Sequence, residues 1–349
     1  MKKLALLIIL IWSLHGNAQT DSPGEFIKLG VEDANKLTRA YIKPASDIII
    51  FSLNRHYYTP FQTEKKFAVS VRLTALVTPE KFRTYDVEAL NLQTVEPEDP
   101  AHRYGPTLTG DTIGVRLVSK KKSIFGQPAF AFVTPGGTGH PALALPYINL
   151  TYQTRHTHVH LGFVPYIHLP VAKLNVFMLK AGVQQNLLKW WQILDTGRFD
   201  WSVNFNYGFM YAGRKLSVKP GLAYINASLN NQQSGDYDNQ RLDINYHAWS
   251  IATAWAYKTE KWRFYTALAI GGGISTLKLR GTYPVYLSDP SGFFSIVATD
   301  LTDPLDITDT HFQVFNETGI RLDFKHFFLQ LQGDLGTYTG GSLLTGYKF

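Results

Sequence analysis

Four histidines in this chain are spaced as strand neighbours. His156, His158, His160 and His168 fall at even intervals. On an extended strand alternate side chains share a face about 6.6 Å apart. Two imidazoles so placed can converge on one metal ion. Three in a row fit one ion poorly, and no carboxylate stands beside them in sequence. The other reading is a polar wall that titrates near neutrality. The pattern assigns no metal, and no cofactor motif accompanies it.

Nucleophilic chemistry needs a serine or cysteine held by a base. The chain has no cysteine. No Gly-x-Ser-x-Gly elbow appears. His247, His311 and His326 fall in strand-like stretches, and Asp200, Asp243 and Asp323 lie near them in sequence. Spacing along the chain does not give distance between strands, so no catalytic residue is assigned and the chain is not expected to be an enzyme. The glycine-rich Pro135–Gly139 run lacks the Lys-Ser/Thr pair of a phosphate loop and reads as a turn or an inward-folded loop. Trp190 and Trp191, beside Lys189, suit either an acyl-docking spot or an interfacial belt in which indoles sit at headgroup depth.

These residues need elements to hold them. The clearest runs from Phe199 to Tyr211, FDWSVNFNYGFMY. Phe199, Trp201, Val203, Phe205, Tyr207, Phe209 and Tyr211 fall on one face, and Asp200, Ser202, Asn204, Asn206, Gly208 and Met210 on the other. Strict alternation predicts a strand. Apolar outside and polar inside is the pattern of a barrel wall in a membrane. Lys66–Val77 repeats it and puts Arg72 on the polar side, where a lumen would accept it and lipid would not. Further strands are predicted at Tyr147–Thr154, His156–Leu169, Leu174–Leu188, Lys215–Tyr224, His247–Tyr257, Lys261–Ile270, Phe312–Phe324 and Phe327–Leu335. Shorter ones are predicted at Asp47–Tyr57, Thr112–Val118 and Ala129–Val133. Gly271–Gly273 suggests a bend or bulge. The last strand carries Leu343, Thr345, Tyr347 and Phe349 on one face.

Composition agrees. Aromatic residues make up 14% and charged residues only 17%, which is unusual for a chain in water and ordinary for a barrel with aromatic girdles. The first residues, MKKLALLIILIWSLHGNAQT, combine a basic start, a short apolar run and small residues before a cleavage point. They read as a signal peptide over residues 1–18. The formal charge of +7 is spread without a basic cluster on an aromatic platform, which excludes a nucleic-acid partner. Lack of cysteine excludes a lipid-modified cysteine anchor, a disulfide framework and a thiolate metal site.

Residues 19–44 form an amphipathic stretch with Glu32 and Asp33 early and Lys36, Arg39 and Lys43 late. That order suits a helix dipole, and Pro44 is expected to end the helix. The helix caps or plugs one end of the barrel. Residues 45–349 supply the barrel. The fold class is all-β: a transmembrane antiparallel β-barrel of about 12–14 strands with a short N-terminal amphipathic helix.

Several blocks together resemble an uncharacterised family of outer-membrane proteins from Bacteroidota, a domain of unknown function. They are EDANKLTRAYIKP (32–44), FVTPGGTGHPALALPYINL (132–150), VFMLKAGVQQNLLKWWQIL (176–194) and FDWSVNFNYG (199–208). Gln184 and Gln185 depart from the basic and acidic residues common at those positions in the family. The fold is similar to that of the long-chain fatty acid transporter superfamily, a barrel with an N-terminal hatch.

The resemblance and the pattern together imply an outer-membrane location. They imply passive passage of a small hydrophobic or amphipathic solute along the hatch and the polar inner face. Arg72, Lys215, Lys219, Arg263 and the four histidines are the lumen-lining candidates. Tyr347 and Phe349 resemble the terminal signal read by the barrel assembly machinery. The expected partners are outer-membrane lipids, that machinery and the solute, with the chain as a monomer. A structural barrel in a secretion or gliding machine and an outer-membrane enzyme are the alternatives.

Overall fold

The computed structural model describes residues 29–56, 58, 66–120, 122, 127–128, 131–154, 156–169, 174–190, 198–218, 230–231, 235–288 and 296–349. The stretch read as a signal peptide lies outside them. Ten antiparallel strands close a barrel. They are β1 (Lys66–Val77), β2 (Ala142–Gln153), β3 (Thr157–Leu169), β4 (Leu174–Asn186) and β5 (Phe199–Lys215), followed by β6 (Arg241–Lys258), β7 (Trp262–Arg280), β8 (Leu305–Asp323), β9 (Phe327–Leu335) and β10 (Thr339–Lys348). Each pairs with its neighbours in sequence, and β10 closes on β1 from Ala68↔Lys348 to Val77↔Thr339. Closure leaves no open edge along the paired length.

The walls are inside out relative to a protein dissolved in water. On β5, Asp200, Ser202, Asn204 and Asn206 are buried, while Phe199, Val203, Phe205 and Tyr207 are exposed. Trp249, Ile251 and Trp255 on β6 and Phe264, Leu268 and Ile270 on β7 continue the apolar exterior. An exposed aliphatic and aromatic belt around a polar core is stable in hydrocarbon, not in water.

Ten strands are fewer than the sequence pattern counts. Arg116–Ser119 and Ala131–Val133 pair with each other and, through the former, with Val95–Pro97, in a small sheet outside the barrel. Of the strand predicted at Lys215–Tyr224, Lys215 is the last residue of β5 and 216–218 join no strand, while 219–224 lie outside the described residues. The fourth difference is Asp47–Tyr57, whose described residues up to Asn54 are helical, not extended.

That helix, α1 (Val31–Asn54), runs straight through Pro44. Proline inside a helix costs about 3 kcal/mol because a donor is lost and the ring crowds the preceding turn. Here the Leu108 N–H donates to the Tyr41 carbonyl at 2.8 Å, next to the Ala40 carbonyl that Pro44 leaves without its helical donor. The run Ile48–Phe51 looks like a strand because its residues are apolar without a polar face. The physical reason is different: the helix lies inside the barrel, so Ile48, Ile50, Phe51 and Leu53 are all buried. A helix enclosed on every side need not be amphipathic.

The barrel has two unlike ends. Turns 154–156, 259–261 and 324–326 are short, whereas segments 78–141, 216–240 and 281–304 are long. α1 enters from the long-loop end. There Leu29, Ala34 and Leu37 pack with Val87, Leu92, Val95 and Leu117 of the first long segment and with Leu277, Leu279, Leu305 and Ile307 of the strand ends. Tyr41 donates to the Gly136 carbonyl at 2.9 Å, so the Pro135–Gly139 run folds inward against the helix. Deeper, Ile48–Leu53 pack against Met178, Met210, Tyr246 and Ala248. Beyond the helix, Tyr58 stacks on Tyr265 near the short-turn end, with centroids 4.5 Å apart.

Gly271–Gly273 makes no bulge. The β6–β7 and β7–β8 registers run through it unbroken. It is a seat for the helix: a Cβ at Gly273 would stand 2.9 Å from Ile50, and one at Gly271 2.8 Å from Asn54.

Candidate functional site

Two polar groups meet α1 inside the barrel. The lower one surrounds the end of the helix. Arg72 of β1 donates to the His56 carbonyl at 2.5 Å, to Ser342 at 2.9 Å and to Thr74 at 3.2 Å. His56 is held by Glu317 of β8, which accepts its backbone N–H at 3.0 Å and faces its ring Nδ1 at 3.2 Å. Lys180 donates to the Arg55 carbonyl. Arg55 is fully buried, 3.7 Å from Asp334 and stacked over Phe315 at 4.2 Å. Strand residues far apart in sequence thus converge on the backbone where α1 ends. Buried charges persist only when paired or hydrogen-bonded.

The upper group lies where the wall is low. Strands β5 to β8 have 17, 18, 19 and 19 residues, but β9 and β10 have only 9 and 10. β9 pairs with β8 from Asn316 to Asp323 alone. Above Asn316, β8 keeps its ladder with β7 and, among the described residues, has no partner strand on the other side. A cavity of about 470 Å³ occupies this notch. Its lining includes Lys43, Asp47 and Phe51 of α1, Phe82 and Tyr85 of the first long segment, Thr310, His311 and Phe312 of β8, and Tyr338. His311 is 6% exposed and points in, while Phe312 is 64% exposed and points out. The lining therefore includes adjacent β8 residues of which one side chain points in and the other out.

At its inner side Asp47 is the hub. One carboxylate oxygen meets His311 Nδ1, and the other accepts the Tyr338 O–H at 2.8 Å. Lys43 Nζ lies 3.1 Å from the same carboxylate. On its far side, His311 Nε2 is 2.8 Å from Ser275 Oγ of β7. Phe51 and Phe82 pack on Tyr338 with centroids 5.5 and 5.7 Å away, narrowing the notch from within.

The residues predicted from sequence are scattered among these surroundings. Arg72 sits in the lower group. His158 and His160 are buried on the inner face, and His160 Nε2 pairs with Asn206 at 2.6 Å. His156 is half-buried in the turn before β3. His168 does not join them. The register of β3 shifts between Val164 and Ile167, so His168 is exposed near the long-loop end, beside Asn175 at 3.0 Å. Lys215 is likewise exposed at the end of β5, not in the lumen. Lys219 lies outside the described residues. Arg263 pairs with Asp323 at 2.7 Å near the short-turn end. Trp190 closes the short helix α2 (Leu187–Trp190), and Trp191 lies outside the described residues.

Tyr347 packs against Phe327 and Phe349 at the closing seam, where the Phe349 N–H donates to the Phe67 carbonyl at 2.9 Å. His247 is exposed and bonds Tyr207 at 2.7 Å. Asp243 accepts from Tyr211 at 3.0 Å. Of the three strand histidines, His311 is held by a carboxylate, that of Asp47, 264 positions away in sequence. Ser275 and Asp47 carry no sequence signal that would have singled them out; only the barrel brings them to His311.

Comparison with known proteins gives a family and a loose fold likeness. The profile of a family of unknown function (DUF6588) matches residues 1–349. No curated protein matches the chain. Among solved structures, Ail, the attachment invasion locus protein of Yersinia pestis, is 9% identical, with 82% of this chain and 100% of that one covered and a TM-score of 0.28. The P. putida toluene transporter TodX is 9% identical, with 81% and 89% covered and a TM-score of 0.23. The translocator domain of the autotransporter NalP from Neisseria meningitidis is 10% identical, with 90% and 96% covered and a TM-score of 0.25. Overlap this loose carries no argument about function.

Proposed function

The chain belongs to DUF6588, a family of unknown function, and we propose that it is an outer-membrane barrel admitting a small hydrophobic or amphipathic solute through the notch beside β8. The exposed apolar belt supports the membrane setting. In such barrels short turns face the periplasm and long loops the exterior.

The observation that carries the solute reading is the cavity of about 470 Å³ that touches outward-facing Phe312 and inward-facing His311 at once. It is of ligand size, and five aromatic side chains, Phe51, Phe82, Tyr85, Phe312 and Tyr338, share its lining with Lys43, Asp47, His311 and four threonines. A wide water-filled pore does not fit, because α1 fills the upper lumen and the lower group grips its end. α1 acts as the hatch, and its release opens the path. The structural-barrel alternative has no comparable observation in its favour.

The test is entry of a small aromatic hydrocarbon into liposomes carrying the purified protein, compared with a Phe312→Arg, Thr310→Arg variant that charges the outer lip. Faster entry with the unaltered protein, lost in the variant, supports the reading. Equal entry with both, or none above bare liposomes, overturns it.

A further inference from the structure

We infer that a groove on the apolar exterior of β5–β8, near the short-turn end, binds a lipid whose apolar body carries a free hydroxyl. The inference rests on the membrane setting of the barrel, not on the notch or on passage through it.

The groove follows from the register. One outward row runs Phe199, Tyr257, Phe264 across β5, β6 and β7. The next row runs Trp201, Trp255, Thr266, Thr318 from β5 to β8. In the second row two indoles give way to two threonines, so the outer surface steps down between β6 and β7. All seven residues line a cavity of about 580 Å³, to which Leu188 of α2 adds a further wall. The Phe199 and Tyr257 rings stand with centroids 5.1 Å apart. Walls of this kind take an apolar body. The groove faces the same side as Leu268 and Ile270, so its ligand comes from the surrounding bilayer.

Hydrogen bonding names the polar part. Thr266, Thr318 and Asn316, one row further along, form a closed ring of bonds on this outer side. Asn316 Nδ2 donates to Thr266 Oγ1 at 3.2 Å and to the Ala267 carbonyl at 3.0 Å, which fixes the orientation of the amide. Thr318 Oγ1 donates to Asn316 Oδ1 at 3.0 Å. A hydroxyl carries one proton, so in the Thr266–Thr318 bond, 3.0 Å long, Thr266 is the donor. Both hydroxyl protons and both amide protons are then spent, and each of the three oxygens keeps a lone pair. The Trp201 N–H beside them is spent too, on Thr253 at 2.9 Å.

The trio therefore offers acceptors and no donor, at a depth where no water meets them. A diacyl phospholipid brings ester oxygens, which are acceptors as well, and leaves those lone pairs unmet. A hydroxyl meets them. The ligand so defined lays its apolar body against the rings and turns one O–H toward the threonines.

The experiment uses the full chain in phosphatidylcholine vesicles. Heat-shifted gel mobility reports insertion, which tests the membrane setting by itself. ω-Bromododecanol and its methyl ether, which lacks the donor, are titrated in while quenching of tryptophan fluorescence is followed, since Trp201 and Trp255 wall the groove. The alcohol should reach half quenching at a mole fraction about threefold to tenfold lower than the ether, the worth of one neutral hydrogen bond. Thr266→Val, Thr318→Val keeps the shape of the wall and should remove the difference. Thr318→Trp should fill the groove and weaken both probes. Unlabelled cholestanol and methyl β-hydroxytetradecanoate then compete: relief of quenching by the sterol marks a ring body, and relief by the ester a chain. Equal quenching by alcohol and ether in the unaltered protein, a preference that survives the two valines, or relief by neither competitor overturns the proposal. Failure of solute entry leaves this site standing, and loss of the alcohol preference leaves the solute reading standing.

Discussion

Leu53 of α1 and Gly208 of β5 meet inside the barrel so closely that a Cβ added at Gly208 would lie 3.3 Å from the Cβ of Leu53. The glycine is where the wall yields to the helix. The distance is also close to the separation of Cβ atoms across a disulfide, about 3.5–4.5 Å. With no native cysteine to compete, the pair Leu53→Cys, Gly208→Cys should oxidise to a single intramolecular bond, seen as a gel shift reversed by reductant. If α1 is the hatch, solute entry into liposomes should stop on oxidation and recover on reduction. Entry that ignores the redox state would show that the helix does not move during passage.

The direction of α1 gives a second prediction. Val31 is at the helix start and Ile113 is in the first long segment, while Glu260 is in a short turn. All three are exposed. Single cysteines at Val31 and Ile113 should react together with a membrane-impermeant maleimide on intact cells, and cysteine at Glu260 only after the outer membrane is breached. Labelling of Glu260→Cys with Val31→Cys protected would reverse the assigned orientation.

The lower lumen contains an ion pair whose partners are almost wholly buried, Lys258 and Asp200, 2.7 Å apart. Asp200 also accepts from Asn186 at 2.9 Å. Removing one partner leaves a buried charge uncompensated, which costs about 3–5 kcal/mol. Asp200→Ala should therefore lower the urea midpoint of barrel unfolding markedly. The double variant Asp200→Leu, Lys258→Met should recover most of the loss. A single variant as stable as the unaltered protein would mean that water already screens Lys258.

A loop carboxylate sets a weak pH dependence at the long-loop end. Asp303 accepts the Gly281 N–H at 2.8 Å and pairs with Arg280 at 3.0 Å. The Gly281 N–H is the main reason its carboxyl is held below the usual range; slight burial opposes this, and Arg280 adds to the lowering. The folded value thus lies below the unfolded one of about 3.9. Its stabilisation is complete above that pH and fades as pH falls through the folded value. Proteolysis of the 281–304 segment should quicken at low pH in the unaltered protein. In Asp303→Ala it should be fast at every pH, aided by the loss of a residue suited to the left-handed backbone at φ 50°.

The sequence alone determined the wall. Alternation in Phe199–Tyr211 and Lys66–Val77 fixes which side of each strand faces lipid, because side-chain direction has period two and one register slip would turn every aromatic inward. Arg72 was legible for the same reason, as a charge in mid-strand has nowhere to go but the lumen. His168 was not, since the shift between Val164 and Ile167 is invisible to a rule that counts by two. Asp47–Tyr57 reads as a strand from its apolar run, which says only that it is buried; the enclosing barrel decides that its residues up to Asn54 are helical. The joining of Ser275, His311 and Asp47 belongs wholly to the tertiary structure. Periodicity tells each residue which way to face, but only closure of ten strands around α1 sets which inward-facing groups meet across the lumen.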